Sequence, residues 1–292
     1  MMQGQGQAQG QAQGARREEH SRPADIQALV PLLEMRNRIG AVYGSEELAP
    51  LLYSLVRRER PLNMVELGTG LGVTAFWMAQ AARENGSGRV WTIDDGSHWQ
   101  EAAKLRAAIT PLIEVAPFDC LDPETLSYPH FIQNMTDLLG LGERLTFLHK
   151  RLDFAKQGDL TPQGYGFLAE PIDFLFLDIA RTPDEILDTL TAFLPHMAES
   201  ASIFIDSAST SVVGYLFLEQ LVDQLRHGKV PRRFLAGQPP ERQRAMTDLI
   251  AQRRFTLMHL IERLQRPQNS TAWIRIEPND YLPHPQTLMK WV

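Results

Sequence analysis

Between the apolar run Met64-Val65 and an Ala-rich helical segment lies Glu66-Leu67-Gly68-Thr69-Gly70-Leu71-Gly72. No other stretch limits the folds open to this chain so strongly. A strand that turns through three glycines into a helix lets the backbone approach a ligand closely and aims helix N–H groups at it. A dinucleotide fingerprint reads G-x-G-x-x-G and normally carries no carboxylate at the strand end. This chain reads E-x-G-x-G-x-G, and Glu66 suits a cationic or amine-bearing ligand.

The chain has 292 residues, 43% of them hydrophobic, enough for one large α/β domain with extensions or for two small ones. Its net charge of −6 gives no global pull toward nucleic acid. A single cysteine, Cys120, rules out a disulfide framework or a cysteine-based zinc site within one chain. No apolar run approaches the length of a membrane span, and the N-terminus lacks the charged-then-apolar layout of a secretory signal. Neither a nucleic acid nor a membrane is expected as partner, and the cytoplasm is the expected location. Residues 3–14 alternate Gln with Gly or Ala, so residues 1–22 are expected to form a disordered tail ahead of a helical extension over 23–60.

Apolar spacing at Ile26, Leu29, Val30 and Leu33, and at Leu48, Leu51, Leu52 and Leu55, predicts two amphipathic helices, 24–39 and 46–58. Strands are expected at 63–67, 90–93, 145–148, 174–177 and 202–205, with helices at 73–84, 183–194, 213–227 and 240–252. Nearly fifty residues separate Asp95 from Leu145, too many for one crossover. They divide into an insertion at 96–128, expected to act as a lid, and a helix at 130–140. Two last strands, Phe255–Ile261 and Thr271–Ile276, flank a polar turn near Arg266-Pro267-Gln268-Asn269. Alternating strands and helices imply a Rossmann-like, doubly wound α/β fold: a mainly parallel seven-stranded sheet with one antiparallel strand near the C-terminus, plus the N-terminal helices.

In open α/β sheets ligands sit at the carboxyl ends of the strands. Four expected strands carry an acid there: Glu66, Asp94 (followed by Asp95), Asp178 and Asp206. Asp94 lies 22 residues after Gly72, where a carboxylate takes both ribose hydroxyls of a bound nucleoside. Asp95 would serve if the strand ends one residue later.

In this order, over residues 60–277, VELGTGLG, WTIDD, IDFLFLD, SIFIDS and the terminal hairpin resemble the class I S-adenosylmethionine-dependent methyltransferases, closest to their small-molecule O-methyltransferase-like branch. The resemblance implies a methyltransferase domain over 61–292, S-adenosyl-L-methionine as cofactor, and a small-molecule acceptor. It implies that Glu66 and the loop Gly68, Thr69, Gly70 and Gly72 hold the amino acid portion of the cofactor. Asp94 would hold the ribose, and Asp153, in a shifted register after the third strand, the adenine. Metal-dependent members bind a divalent cation with acids after strands four and five and a following Asn. Here Ser207 replaces that Asn, so Mg²⁺ is compatible with the donors but is not the favoured reading. Relatives often continue Asp-Gly-x-His after strand four; this chain has Asp178-Ile179-Ala180-Arg181.

For chemistry, Asp178 is the first candidate for binding the acceptor or removing its proton, Asp206 the second, and His98 at the start of the insertion a third. Eight Lys or Arg between Arg226 and Arg254 face only Glu241 and Asp248, and read as a solvated or homodimer-contacting surface. Two other functions stay open at this point: a non-catalytic adenosylmethionine-binding scaffold and an NAD-linked oxidoreductase.

Overall fold

The computed structural model describes residues 24–39, 48–152, 160, 164–180, 182–208, 212–261 and 270–279. The Gln/Gly-rich tail, Asp153, Arg181 and the polar turn at 266–269 lie outside them. Helices α1 (Ile26–Ile39) and α2 (Leu48–Glu59) precede β1 (Asn63–Leu67), α3 (Val73–Asn85) and β2 (Arg89–Asp94). The insertion then supplies α4 (Ala102–Ile113), followed by α5 (Tyr128–Leu138) and β3 (Leu145–His149). Next come β4 (Ile172–Leu177), α6 (Pro183–Phe193), β5 (Met197–Asp206) and α7 (Val212–Arg226). The short α8 (Arg232–Leu235), α9 (Pro240–Gln252), β6 (Arg253–Ile261) and β7 (Ser270–Pro278) complete the described chain.

The strands form one seven-stranded sheet in the order β3-β2-β1-β4-β5-β7-β6. Only β7 runs against the others, pairing antiparallel with both β5 and β6. Successive side chains of a strand point to opposite faces, and both faces of this sheet are covered. Met64, Val90, Phe174, Phe176 and Phe204 turn toward α1 to α5, whereas Val65, Leu67, Ile93, Leu175, Leu177, Ile203 and Ile205 turn toward α6, α7 and α9. Across β4, β5 and β7 the rings of Phe174, Phe204 and Trp273 stack with centroids 4.8 and 5.2 Å apart. That ladder seats the reversed strand, and the Trp273 indole N–H donates to Ser202 Oγ at 3.0 Å.

The insertion is more ordered than a bare lid loop. Leu105, Ile109 and Leu112 of α4 recur at helical spacing and are buried in the same cluster as Leu32, Met35 and Ile39 of α1. Helix α5 starts at Tyr128, two residues before the expected position, because Pro129 sits comfortably in a first helical turn. Strand β5 extends back to Met197 through polar residues that the apolar pattern did not mark.

Helix α2 is fastened to α3 by a nearly buried polar knot. Arg57 Nε lies 3.1 Å from Glu84 Oε2, the Tyr53 hydroxyl donates to the same carboxylate at 2.7 Å, and Arg57 also donates to Asn85 Oδ1 at 2.6 Å. By contrast Arg233 pairs with Asp184 and Asp188 at the surface. Breaking a buried pair strands the surviving charge, whereas an exposed pair is screened by water. Glu84→Ala is therefore expected to cost about 3 kcal/mol in urea unfolding, and Arg233→Ala less than about 1 kcal/mol.

Candidate functional site

Register places the site. Leu67 pairs with Ile93 on one side and Leu177 on the other, and Leu177 pairs with Ile205. The next residues along these parallel strands, Asp94, Gly68, Asp178 and Asp206, therefore share one row at the carboxyl edge. Pairs of Asp94 with His149 and of Asp206 with Thr271 extend that row at both ends. Backbone bonds stitch its middle: Gly68 N–H donates to Ile93 at 2.9 Å and Asp178 N–H to Leu67 at 2.8 Å.

Three glycines of the turn have positive φ, 94° at Gly68, 54° at Gly70 and 83° at Gly72. At Gly68 the requirement is twofold, since an added Cβ would stand 3.1 Å from Ile179 and 3.2 Å from the Asp178 carbonyl oxygen. The loop thus passes against the segment that carries Asp178.

Glu66 lies beneath this loop, fully buried. Its two carboxyl oxygens accept short hydrogen bonds from Thr74 Oγ1 on α3 and Thr92 Oγ1 on β2. Thr69 Oγ1 lies 2.6 Å from Thr92 Oγ1, which ties the loop itself into the network. Burial pushes the Glu66 carboxyl up to about 7, against the pull of the two threonine hydroxyls. These hydroxyls were not among the expected site residues. Thr92 carried a signal, a polar residue inside the otherwise apolar strand Val90-Trp91-Thr92-Ile93.

Asp94 is half-buried and faces the loop directly. Its Oδ2 accepts from Gly70 N–H at 3.1 Å and its Oδ1 from Gly96 N–H at 2.7 Å. Asp95 instead accepts from Ser97 N–H at 2.9 Å, and hydrogen bonds from the Ser97 side chain and backbone hold its carboxyl below the ordinary range. The strand ends at Asp94, so that residue, rather than Asp95, holds the row position. Beside it the buried hydroxyl of Tyr128 stands near Asp94 and Thr69.

Asp178 and Asp206 come close enough for their carboxyls to interact. Asp206 also accepts from Ser207 Oγ at 2.7 Å and from Thr271 Oγ1 at 3.2 Å. Burial raises its carboxyl above the ordinary range, and the hydroxyls of Ser207 and Thr271 and the Asp178 carboxyl oppose the rise. Ser207 is buried at φ 58°, a left-handed conformation that side chains other than Gly and Asn adopt at a cost. Both oxygens of Asp206 are engaged by hydroxyl donors, so a cation there would have to displace them. Among the described residues no group of three or more His, Cys, Asp or Glu gathers in a metal-holding cluster.

His98 lies apart from this pair. It is exposed on the turn Ser97–Trp99 after β2, with its ring edge-on to Trp99 at 5.2 Å. In the basic C-terminal stretch, Arg233 pairs with α6, while Arg226 and Arg253 donate to main-chain carbonyls of Phe255 and Met197. No described helix is long and apolar enough to cross a membrane.

Residues 65–208 match a family model described as a methyltransferase domain. An O-methyltransferase of Streptomyces achromogenes involved in tomaymycin synthesis, solved with S-adenosylmethionine, is 16% identical, with 94% of this chain and 100% of that chain covered and a TM-score of 0.43. An O-methyltransferase of Bacillus cereus, solved with S-adenosylhomocysteine, is 16% identical, with coverages of 87% and 92% and a TM-score of 0.44. A methyltransferase of Geobacter sulfurreducens is 14% identical, with coverages of 88% and 92% and a TM-score of 0.44. No curated protein matches the sequence.

The raised Glu66 carboxyl sets a pH dependence of folding. Between its ordinary value of 4.5 and about 7 the folded chain keeps a proton that the unfolded chain has released. Its contribution, about 3 kcal/mol, is fully present below the lower value and lost as pH rises through the upper one. Urea midpoints are expected to fall from about pH 5 to about pH 8, and to fall less steeply in Glu66→Gln. An equal slope in both proteins would contradict the assignment.

Proposed function

We propose that this chain, whose residues 65–208 match a methyltransferase-domain family model, transfers a methyl group from S-adenosylmethionine to an oxygen of a small-molecule acceptor. The observation that carries the reading is the single row at the sheet edge. It sets the glycine turn between a ribose-suited carboxylate, Asp94, and two neighbouring carboxyls, Asp178 and Asp206.

The chain's own residues fit the cofactor. Gly68, Thr69, Gly70 and Gly72 offer a close backbone approach at the mouth of α3, with Glu66 holding the turn from below. Asp94 is placed for the ribose hydroxyls, exchanging its present backbone donors for them. When bound, S-adenosylmethionine supplies an electrophilic methyl on a positively charged sulfur.

The remaining work falls to positioning and to one proton. Much of the acceleration of a displacement comes from holding acceptor and methyl in line at near-contact distance. Asp178, half-buried and next to the loop, orients the acceptor hydroxyl. The Asp178–Asp206 pair would take the acceptor hydroxyl's proton as the methyl carbon exchanges its bond to sulfur for one to oxygen, which leaves the sulfur as a neutral thioether. Thr271 and Ser207 keep Asp206 fixed while this happens. The insertion, packed on α1, roofs the acceptor side and selects what enters; His98 sits on its exposed rim. We also infer that the protein works in the cytoplasm, without nucleic acid, and that a homodimer would use the surface around α9.

A thermal-shift screen tests the cofactor: S-adenosylmethionine and S-adenosylhomocysteine are expected to raise the melting temperature, and NAD⁺ is not. Gly70→Trp should abolish the shift. With an acceptor found by screening with and without EDTA, Asp178→Asn is expected to lower kcat about 100-fold or more with little change in affinity for the cofactor. Full activity of Asp178→Asn would remove the proposed base.

A further inference from the structure

Both ends of the insertion converge on the same carboxylate. At its start, Gly96 N–H donates to Asp94 Oδ1. At its end stands Tyr128, the first residue of α5, with 4% of its surface exposed. Its ring is clamped: Trp99 stacks on it at 6.4 Å and 27°, and Phe147 and His149 meet it edge-on at 5.7 and 6.2 Å. Gly96 closes the remaining side, where an added Cβ would stand 2.9 Å from the Tyr128 ring and 2.8 Å from His149 Nε2. The ring therefore has one available orientation, which sends the hydroxyl beside Asp94 and Thr69.

That hydroxyl is buried, and among the described residues it makes no hydrogen bond of 3.5 Å or less, although Asp94 and Thr69 stand near it. A buried donor left unmade is costly, and folded chains seldom keep one without use. Asp94 accepts from Gly70 N–H and Gly96 N–H, so the bonds that hold it in place come from backbone donors and not from this phenol. A ribose hydroxyl that donates to Asp94 keeps lone pairs of its own, and these can accept from a phenol.

Resting on the cofactor reading above, we propose that Tyr128 is a cofactor-binding residue: its hydroxyl donates to a ribose hydroxyl of the nucleoside held by Asp94. The insertion is then pinned to the nucleoside at both ends, through Gly96 and Asp94 at its start and through Tyr128 at its end. Loading the cofactor thereby stiffens the element that selects the acceptor.

Tyr128→Phe removes the hydroxyl and keeps the packed ring. By isothermal titration with S-adenosylhomocysteine, the variant is expected to bind about five- to tenfold more weakly. Its melting temperature without ligand should equal or exceed that of the wild type. Among the 2′-deoxy and 3′-deoxy analogues of S-adenosylhomocysteine, the one lacking the contacted hydroxyl should bind variant and wild type equally. Equal affinity of both proteins for S-adenosylhomocysteine would overturn the assignment. So would the same loss for all three ligands together with a lowered melting temperature, the mark of a merely structural residue. If the wild type itself fails to bind S-adenosylhomocysteine, the cofactor reading falls and this assignment falls with it.

Discussion

The buried carboxyl of Glu66 is the constraint on which the ligand edge depends. It receives one hydroxyl from the first turn of α3 and one from the middle of β2, and through Thr92 it reaches Thr69 in the turn. Three elements, α3, β2 and the turn, are thus tied to one buried group. A glycine turn is permissive by nature and needs such an anchor to present one geometry. The cost is a carboxyl forced out of water, which shows in its raised protonation range.

From that anchor the site spreads along the sheet. Chain order reverses at β1, whose neighbours are β2 on one side and β4 on the other, so crossovers leave in opposite directions and open a crevice above β1. Parallel register then sets Asp94 and Asp178 on either side of Gly68. The reversed strand β7 does more than close the sheet, because Thr271 comes from it to hold Asp206. The left-handed Ser207 lies at the same place, and its buried hydroxyl completes the hold. Local strain at this point is offset by the surrounding sheet.

Much of this was legible in the sequence. The parallel strands are covered on both faces, so each reads as a short apolar run, and each run that ends in an acid announces the ligand edge. Glu66, Asp94, Asp178 and Asp206 were found in that way. What stayed hidden depends on contacts across long separations. Tyr128 reaches Asp94 only because α4 folds back on α1 and lets α5 begin beneath the β2 turn. The hydroxyls of Thr74, Thr92 and Thr271 look like ordinary threonines until the fold sets them beside buried carboxyls. His98 drew notice as a histidine near the edge, and it stands exposed on the turn that follows β2. The insertion's helix was obscured by Pro111, which lies in its last turn.

The central claim is that this edge holds an adenosyl nucleoside between Asp94 and the Asp178–Asp206 pair. A crystal structure of the protein with S-adenosylhomocysteine tests it most directly. The account predicts the ribose hydroxyls on Asp94 and Tyr128, the homocysteine portion along Gly68–Gly72, and the sulfur turned toward Asp178. A nucleoside bound elsewhere, or a ribose that leaves Asp94 bonded to Gly70 and Gly96 as it is now, would contradict it.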